Sequence, residues 1–146
     1  MKAMRAVIYV MLIAVLCFIP MQRLEIADLD PVQAVWVHRM DDRLILRTDT
    51  GAIGVGETIE EALDDMKRRS SKIIYLDTAQ YLLVSEAVKE EIPSLYPYLR
   101  RTVRVSQWSG EGNIKDAVQY VDTHKFGEKL SCWAKGSNLP ELPLIN

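Results

Sequence analysis

An uncharged apolar run near the N-terminus constrains this chain more than any other feature. Residues 6–21 are sixteen residues without a charge, and the only charged residues before them are Lys2 and Arg5. As a helix, the run would be about 24 Å long, against about 30 Å for the hydrocarbon core of a bilayer. It is apolar on every side, whereas a helix buried in a globular core is usually amphipathic. We therefore expect residues 1–22 to form a transmembrane or signal helix.

The charges around this run predict its orientation. Basic residues next to an apolar segment favour the cytoplasmic side, so Lys2 and Arg5 place the N-terminus inside and the later residues outside. No small-residue pattern typical of signal-peptidase cleavage follows the run, which favours an uncleaved anchor over a cleaved export signal. The residues before Cys17 lack the small residue that lipoprotein processing usually needs, so lipidation is the less favoured alternative. The prediction is a single-pass cell-membrane protein with an extracytoplasmic C-terminal domain.

The rest of the chain has the composition of one globular domain. The whole chain carries 18 basic and 20 acidic residues, and its net charge of −2 argues against nucleic-acid binding. Cys132 is the only thiol outside the apolar run, which excludes an internal disulfide in the domain. We divide the chain into a signal anchor at residues 1–22, a single α/β domain at residues 23–125, and residues 126–146. Glycines and prolines predict a loosely ordered C-terminal tail in the last segment.

Strand and helix patterns alternate along the domain. Strand-like runs at residues 32–40 and 43–48 flank an Asp-Asp turn and predict a hairpin, and a short strand follows at residues 52–56. Thr58 and Glu61 form a capping-box pair ahead of an amphipathic helix. Further predicted elements are one long or two short strands within residues 72–85, a short helix at 86–92, a strand at 102–108 and a helix from 113. This order predicts an α/β (α+β) fold, with two to three helices packed on one face of a mixed β-sheet.

A glycine pattern before the first predicted domain helix is similar to a phosphate-binding loop. Residues 51–58 match the spacing GxxxxGK[ST] at every fixed position except the lysine, which is Glu57 here. A carboxylate at that position would repel the phosphates that the lysine normally binds. The glycines are better explained by a turn and by close strand-to-helix packing, so we expect no nucleotide.

No constellation of side chains indicates catalysis, a cofactor or a metal. His38 and His124 are the only histidines, and neither has cysteine or carboxylate partners at metal-ligand spacing. Adjacent carboxylates on the predicted helix diverge by about 100° and indicate a solvated face. We expect a non-catalytic domain without a cofactor. The alternative is a small secreted ligand-binding protein or enzyme, with a pocket built around Cys132 or His124.

The densest basic cluster is formed by Arg100, Arg101 and Arg104. One interpretation is a strand edge that positive charge protects from pairing with another chain. The other is a contact with anionic lipid or with an acidic patch of a partner. These three arginines are the candidate partner surface. The expected partners are the membrane, through the N-terminal helix, and another envelope protein.

Three segments of the chain carry motifs of a known family. Residues 23–29 are RLEIADL, residues 56–63 are GETIEEAL and residues 75–86 are YLDTAQYLLVSE. They resemble, respectively, the R-E-I-x-x-L opening, the G-x-T-x-x-x-A-L helix start and the Y-x-G-H-x-x-x-x-L-I-G-E strand of one family. That family is the C subunits of spore germinant receptors, the Ger(x)C lipoproteins. The likeness covers roughly residues 23–122 and only the first domain of that family.

The chain also departs from the family pattern. Asp77 and Thr78 replace the Gly-His pair, the lipoprotein context of the cysteine is missing, and the later domains of the family are absent. The resemblance implies a membrane-held, non-catalytic domain outside the bilayer, linked to spore germination or the sporulation envelope. The family has no catalytic residues to transfer to this chain.

Overall fold

The computed structural model describes residues 1–18, 28–133, 135 and 137–144. It has three α-helices and eight strands within these ranges, together with two 3₁₀ segments at Leu76–Thr78 and Glu86–Leu95. In chain order, the helices and strands are α1 (Lys2–Phe18), β1 (Leu29–Pro31), β2 (Ala34–Met40), β3 (Arg43–Thr48), β4 (Ile53–Gly56), α2 (Ile59–Arg69), β5 (Ile73–Tyr75), β6 (Tyr81–Val84), β7 (Arg104–Gln107), α3 (Ile114–His124) and β8 (Glu128–Lys129).

Six strands form one mixed sheet in the order β4-β3-β2-β6-β7-β8. Strands β2, β6 and β7 are parallel to one another, and the outer pairs are antiparallel. The predicted hairpin is the β2–β3 pair, and Asp41 and Asp42 form its turn with positive φ angles. Strands β1 and β5 pair separately as a small parallel sheet. The prediction of an α/β fold with a mixed sheet and several helices is confirmed.

Helices cover both faces of the main sheet, so the expectation that they cover one face is wrong. On the first face, α2 and the segment Glu86–Leu95 contribute Met66 and Ile92 to an apolar cluster with β2, β3, β6 and β7. On the second face, α3 contributes Ala117 and Val121 to a cluster with β2 and β6. All four residues of β6 are buried, which is typical of a parallel strand covered on both sides.

The predicted capping box and the amphipathic side of α2 are confirmed. The side chain of Thr58 accepts a hydrogen bond from the Glu61 amide at 3.2 Å, and the Glu61 carboxylate accepts one from the Glu57 amide at 2.9 Å. These bonds satisfy amides that have no partner within the helix. The apolar side chains of α2 at helical spacing are buried, which fixes the helix against the sheet.

Close packing explains the glycines before α2. A Cβ atom on Gly54 would overlap the backbone oxygen of Ala62, and one on Gly56 would lie 2.5 Å from the Ala62 amide nitrogen. Only residues without a side chain let α2 approach β4 this closely. Gly51 has a different role, because it lies in the β3–β4 turn with φ +99°, a conformation that L side chains rarely adopt.

The region from residue 72 to residue 95 contains two short strands and irregular helix. β5 and β6 belong to different sheets, separated by the 3₁₀ turn Leu76–Thr78, so the possibility of one long strand is excluded. The Thr78 hydroxyl holds this turn by hydrogen bonds of 3.0 Å to the carbonyls of Val32 and Tyr75. The predicted helix at 86–92 is a 3₁₀ segment that includes Pro93, which cannot donate the amide hydrogen that an α-helix requires.

The described residues after 126 pack on the domain, in contrast to the expected loose tail. β8 pairs with β7, and the amide of Leu142 donates to the carbonyl of Gln107 at 2.8 Å. The buried apolar residues of this segment are Leu130, Trp133, Leu139 and Leu142. Their spacing is irregular, so no periodic pattern marks them as core residues in the sequence.

The N-terminal helix α1 carries its apolar side chains on the surface. Val7, Ile8 and Leu12 are each more than half exposed, and neither apolar cluster of the domain includes a residue of α1. Among the residues that the structure describes, no helix combines the length and apolarity needed to cross a membrane. Residues 19–22 of the predicted anchor, and most of the motif at 23–29, lie outside the described residues.

Candidate functional site

The predicted partner surface lies where two parallel strands begin. Arg104 is the first residue of β7 and pairs in register with Tyr81, the first residue of β6. Arg100 and Arg101 lie in the preceding turn, in which the Arg100 carbonyl accepts a hydrogen bond from the Val103 amide at 3.1 Å. The turn therefore positions the arginines at the amino-terminal edge of the sheet.

Two of the three arginines line one groove, which we call the basic groove. It has a volume of about 410 Å³, and its lining includes three cationic residues, Arg100, Arg104 and Lys125, and one carboxylate, Asp77. Lys125 follows the last residue of α3 and has a left-handed backbone conformation, with φ 46°. Sequence reasoning missed this lysine because it is distant from the arginine cluster in the chain. Its only signal was its position at the end of a predicted helix.

An ion pair and a phenol form one side of the basic groove. Lys125 Nζ and the Tyr81 hydroxyl each donate to Asp122 Oδ1 at 3.0 Å. The hydrogen bonds from Lys125 and Tyr81 lower the pKa of Asp122, and this carboxylate raises the pKa of Lys125. Burial and the neighbouring Asp122 raise the pKa of Tyr81. At neutral pH, the arrangement is a fixed ion pair beside a neutral phenol.

Within the described residues, no acidic side chain pairs with the two arginines of the basic groove. Arg104 Nη1 donates to the carbonyl of Gly127 at 3.1 Å, which orients this half-buried guanidinium, whereas Arg100 is exposed. Among the described residues, neither arginine forms an ion pair. A guanidinium can bind both oxygens of a carboxylate in a planar arrangement. The groove can therefore bind a carboxylate through two cationic side chains.

Arg101 faces a different cavity. That cavity has a volume of about 290 Å³ and is lined by Arg101 together with Tyr96, Leu130, Ser131 and Trp133. The side chains of adjacent residues in a turn point in different directions. The three arginines that are close in sequence therefore do not form one surface. The structure brings Arg100 and Arg104 together and separates Arg101 from them.

His124 and Cys132, around which the alternative hypothesis places a ligand pocket, contact different neighbours. His124 Nδ1 lies 2.9 Å from the carbonyl oxygen of Tyr120, and its ring stacks on the Tyr120 ring at 4.2 Å. Cys132 is exposed, and its Sγ lies 3.8 Å from the hydroxyl oxygen of Ser131. Within the described ranges, no group of three or more His, Cys, Asp or Glu residues is placed to hold a metal ion.

An aromatic cluster that sequence reasoning missed lies on the second face of the sheet. The ring of Trp36 stacks on that of His38 with centroids 4.0 Å apart, and it contacts Trp108 at 4.7 Å. The Arg47 guanidinium lies over the Trp36 ring at 5.6 Å. Burial and the charge of Arg47 lower the pKa of His38, so its imidazole is neutral at neutral pH. Alternation along β2 was the available signal that Trp36 and His38 share a face.

The chemistry of the basic groove is recognition of negative charge. Guanidinium groups present several hydrogen-bond donors in a rigid planar geometry that fits carboxylates and phosphates. Comparison of the chain with protein-family models, with curated proteins and with solved structures gave no match.

Proposed function

We propose that this chain is a membrane-anchored, extracytoplasmic, non-catalytic interaction domain that binds an acidic surface of another envelope protein. The observation that carries this proposal is the convergence of Arg100 and Arg104 on one groove, without an ion-pair partner among the described residues. A partner that presents aspartate or glutamate side chains supplies carboxylates that can pair with these two arginines. Hydrogen bonds between two charged groups are about twice as strong as neutral ones.

Membrane attachment is supported by the apolar surface of α1. Transfer of apolar area from water into lipid is favourable by about 25 cal/mol per Å². Exposed apolar side chains along the helix, among them Val7, Ile8 and Leu12, supply this area. Lys2 and Arg5 favour the cytoplasmic side, which places the α/β domain outside the cytoplasm.

Spore germination, or assembly of the sporulation envelope, is the process that we propose for this domain. Its support is the resemblance of residues 56–63 and 75–86 to motifs of the Ger(x)C family. The first segment contains the start of α2, and the second contains β6, preceded by the last residue of β5 and a 3₁₀ turn.

Charge reversal in the full-length chain tests the binding proposal. In the producing cell, we expect Arg100→Glu with Arg104→Glu to reduce crosslinking to a specific envelope protein by at least about tenfold, the equivalent of about 1.4 kcal/mol. The matched control is Lys67→Glu with Lys115→Glu, which makes the same change in net charge at exposed positions on α2 and α3. Circular dichroism of each variant establishes that the domain is folded.

The outcome separates a protein partner from a lipid surface. Equal crosslinking by wild type and the Arg100/Arg104 variant contradicts the proposed surface. Flotation with vesicles that contain or lack phosphatidylglycerol provides the second measurement, because α1 would bind both kinds of vesicle. If the variant loses the extra binding that phosphatidylglycerol produces but keeps its protein crosslinks, the acidic protein partner is the wrong ligand for this groove.

A further inference from the structure

Among the described residues, no helix packs on the second face of two strands of the main sheet. α2 packs on β3 and β4 from the first face. The apolar cluster of the second face includes residues of β2, β6 and α3, and none of β3 or β4. Within the described part of the chain, the sheet therefore has helices on both faces at one half and on only one face at the other half.

The strand register identifies the side chains on this uncovered area, which we call the open face. Arg47 lies opposite both Trp36 and Ile53, so these three residues share one face of the sheet. Met40 and Ile53 are 57% and 41% exposed. The open face consists of Met40, Arg43, Ile45, Arg47, Ile53 and Val55. Ile45, between the two arginines, is only 6% exposed, so the accessible apolar area is at Met40 and Ile53.

The open face combines positive charge with exposed apolar surface. Arg43 and Arg47 are exposed, and neither forms an ion pair with another described residue. The Arg47 guanidinium lies over the Trp36 ring, 5.6 Å from its centroid, and the cation–π attraction favours this position of the side chain. An arginine beside apolar side chains is typical of the residues that contribute most to protein–protein binding.

The dimensions of the open face fit one helix. Neighbouring strands are about 4.8 Å apart, so β3 and β4 together are about as wide as one α-helix, roughly 10 Å. From Arg43 to Arg47 the strand rises about 13 Å, which corresponds to about nine residues of helix. We propose that the open face binds an amphipathic helix of a partner protein. The apolar side of this helix lies on Met40 and Ile53, and its carboxylates lie near Arg43 and Arg47.

Charge complementarity selects another protein as the source of this helix. The first 21 residues contain no aspartate or glutamate, so α1 would cover the arginines without neutralising them. In a second copy of the chain, α2 carries Glu60 and Glu61, but its apolar side is already buried against its own sheet. Neither of these helices offers both carboxylates and free apolar side chains.

Site-specific photocrosslinking in the full-length chain tests this proposal. Benzoylphenylalanine replaces Ile53 on the open face, and in the control it replaces Ile73, which is 49% exposed on the other sheet. From position 53 we expect a crosslink to a second protein, mapped by mass spectrometry to an amphipathic helix with aspartate or glutamate. Arg43→Glu with Arg47→Glu should reduce its yield at least about fivefold. Lys67→Glu with Lys115→Glu should leave it unchanged.

Several results would overturn the proposal. These are a crosslink to α1, to a second copy of the chain or to lipid, a yield no higher than from position 73, or a mapped segment without carboxylates. If the double variant does not fold, Arg43→Gln leaves Arg47 on Trp36 and should still reduce the yield. Arg100→Glu with Arg104→Glu should leave this crosslink intact, so the basic groove and the open face can fail independently.

Discussion

Gly54 determines how closely α2 can approach β4. A Cβ atom at this position would overlap the Ala62 carbonyl oxygen and lie 2.7 Å from the Met66 Cβ atom. Because the overlapping oxygen belongs to the backbone, relief requires movement of the whole helix. We expect Gly54→Ala to lower the free energy of unfolding by about 3 kcal/mol, measured by urea denaturation.

Gly51→Ala is the matched control for that substitution. A Cβ atom at position 51 would have no heavy atom within 4 Å, but φ is +99°. The free energy of unfolding should therefore fall only by the cost of holding alanine in a left-handed backbone conformation, about 1 kcal/mol. A loss in Gly54→Ala no larger than in Gly51→Ala would show that steric overlap with α2 is not the reason for the glycine.

Individual site residues were predictable only where neighbours in sequence remain neighbours in space. The arginine cluster predicted a basic surface, yet the turn separates Arg101 from Arg100 and Arg104. Lys125, just after α3, lines the same groove as Arg100 and Arg104. No local sequence pattern predicts that this lysine lies near the two arginines. The two-residue turn at Asp41 and Asp42 fixes the hairpin register that sets Trp36 opposite Arg47, but the contact of the guanidinium with the ring was not predicted.

The Asp65 carboxylate of α2 accepts a hydrogen bond from an amide on the outer side of the edge strand β4. The Val55 amide donates to Asp65 Oδ2 at 2.9 Å, and Arg69 Nε lies 2.8 Å from the same oxygen. The Val55 hydrogen bond, assisted by Arg69 and Arg68, lowers the pKa of Asp65 below its ordinary value of 3.8. The resulting stabilisation is complete above that ordinary value and is lost as the pH falls through the lowered pKa.

Asp65→Asn should remove this pH dependence. Between about pH 4 and pH 2, the free energy of unfolding of the wild type should fall more steeply than that of the variant. Urea titrations at a series of pH values provide the measurement. Asp64→Asn is the control, because Asp64 is exposed and its neutralisation should leave the slope of the wild type unchanged. Parallel curves for wild type and Asp65→Asn would contradict the assigned role.

Helices and strands with a periodic pattern of apolar residues could be predicted from the sequence. Short strands that form only by pairing with a strand distant in sequence could not. The β2–β3 hairpin, α2 and α3 carry alternation, helical spacing or capping residues within their own segments. β5 lies within the strand region predicted at residues 72–85, whereas β1 and β8 have three and two residues, too few for a period to appear. They exist because another strand lies beside them, and a single sequence does not reveal that strand.

Membrane attachment and domain folding should be separable in the whole molecule. Both apolar clusters lie between Val32 and Leu142 and include no residue of α1. We expect removal of residues 1–22 to leave the thermal midpoint within about 2 °C, since no described residue of this segment belongs to either apolar cluster. The full-length chain should appear in the membrane fraction of the producing cell, and the truncated chain in the soluble fraction.

Replacement of Leu12 by arginine tests the role of α1 without shortening the chain. A charge at the centre of an apolar helix disfavours insertion into lipid by about 3 kcal/mol. Leu12→Arg should therefore release part of the protein from the membrane fraction. Retention of the truncated chain in membranes after a high-salt wash would show that α1 is not the anchor.

The packing of the C-terminal residues sets the timing of folding during synthesis. Leu139 belongs to the cluster on the first face of the sheet and Leu142 to the cluster on the second face. A growing chain therefore lacks one apolar contact on each face of the sheet until these residues emerge, although α2 and α3 have already been synthesised. We expect the domain to complete its fold only after synthesis reaches residue 142, and a chain stalled earlier to expose more apolar surface to chaperones and proteases.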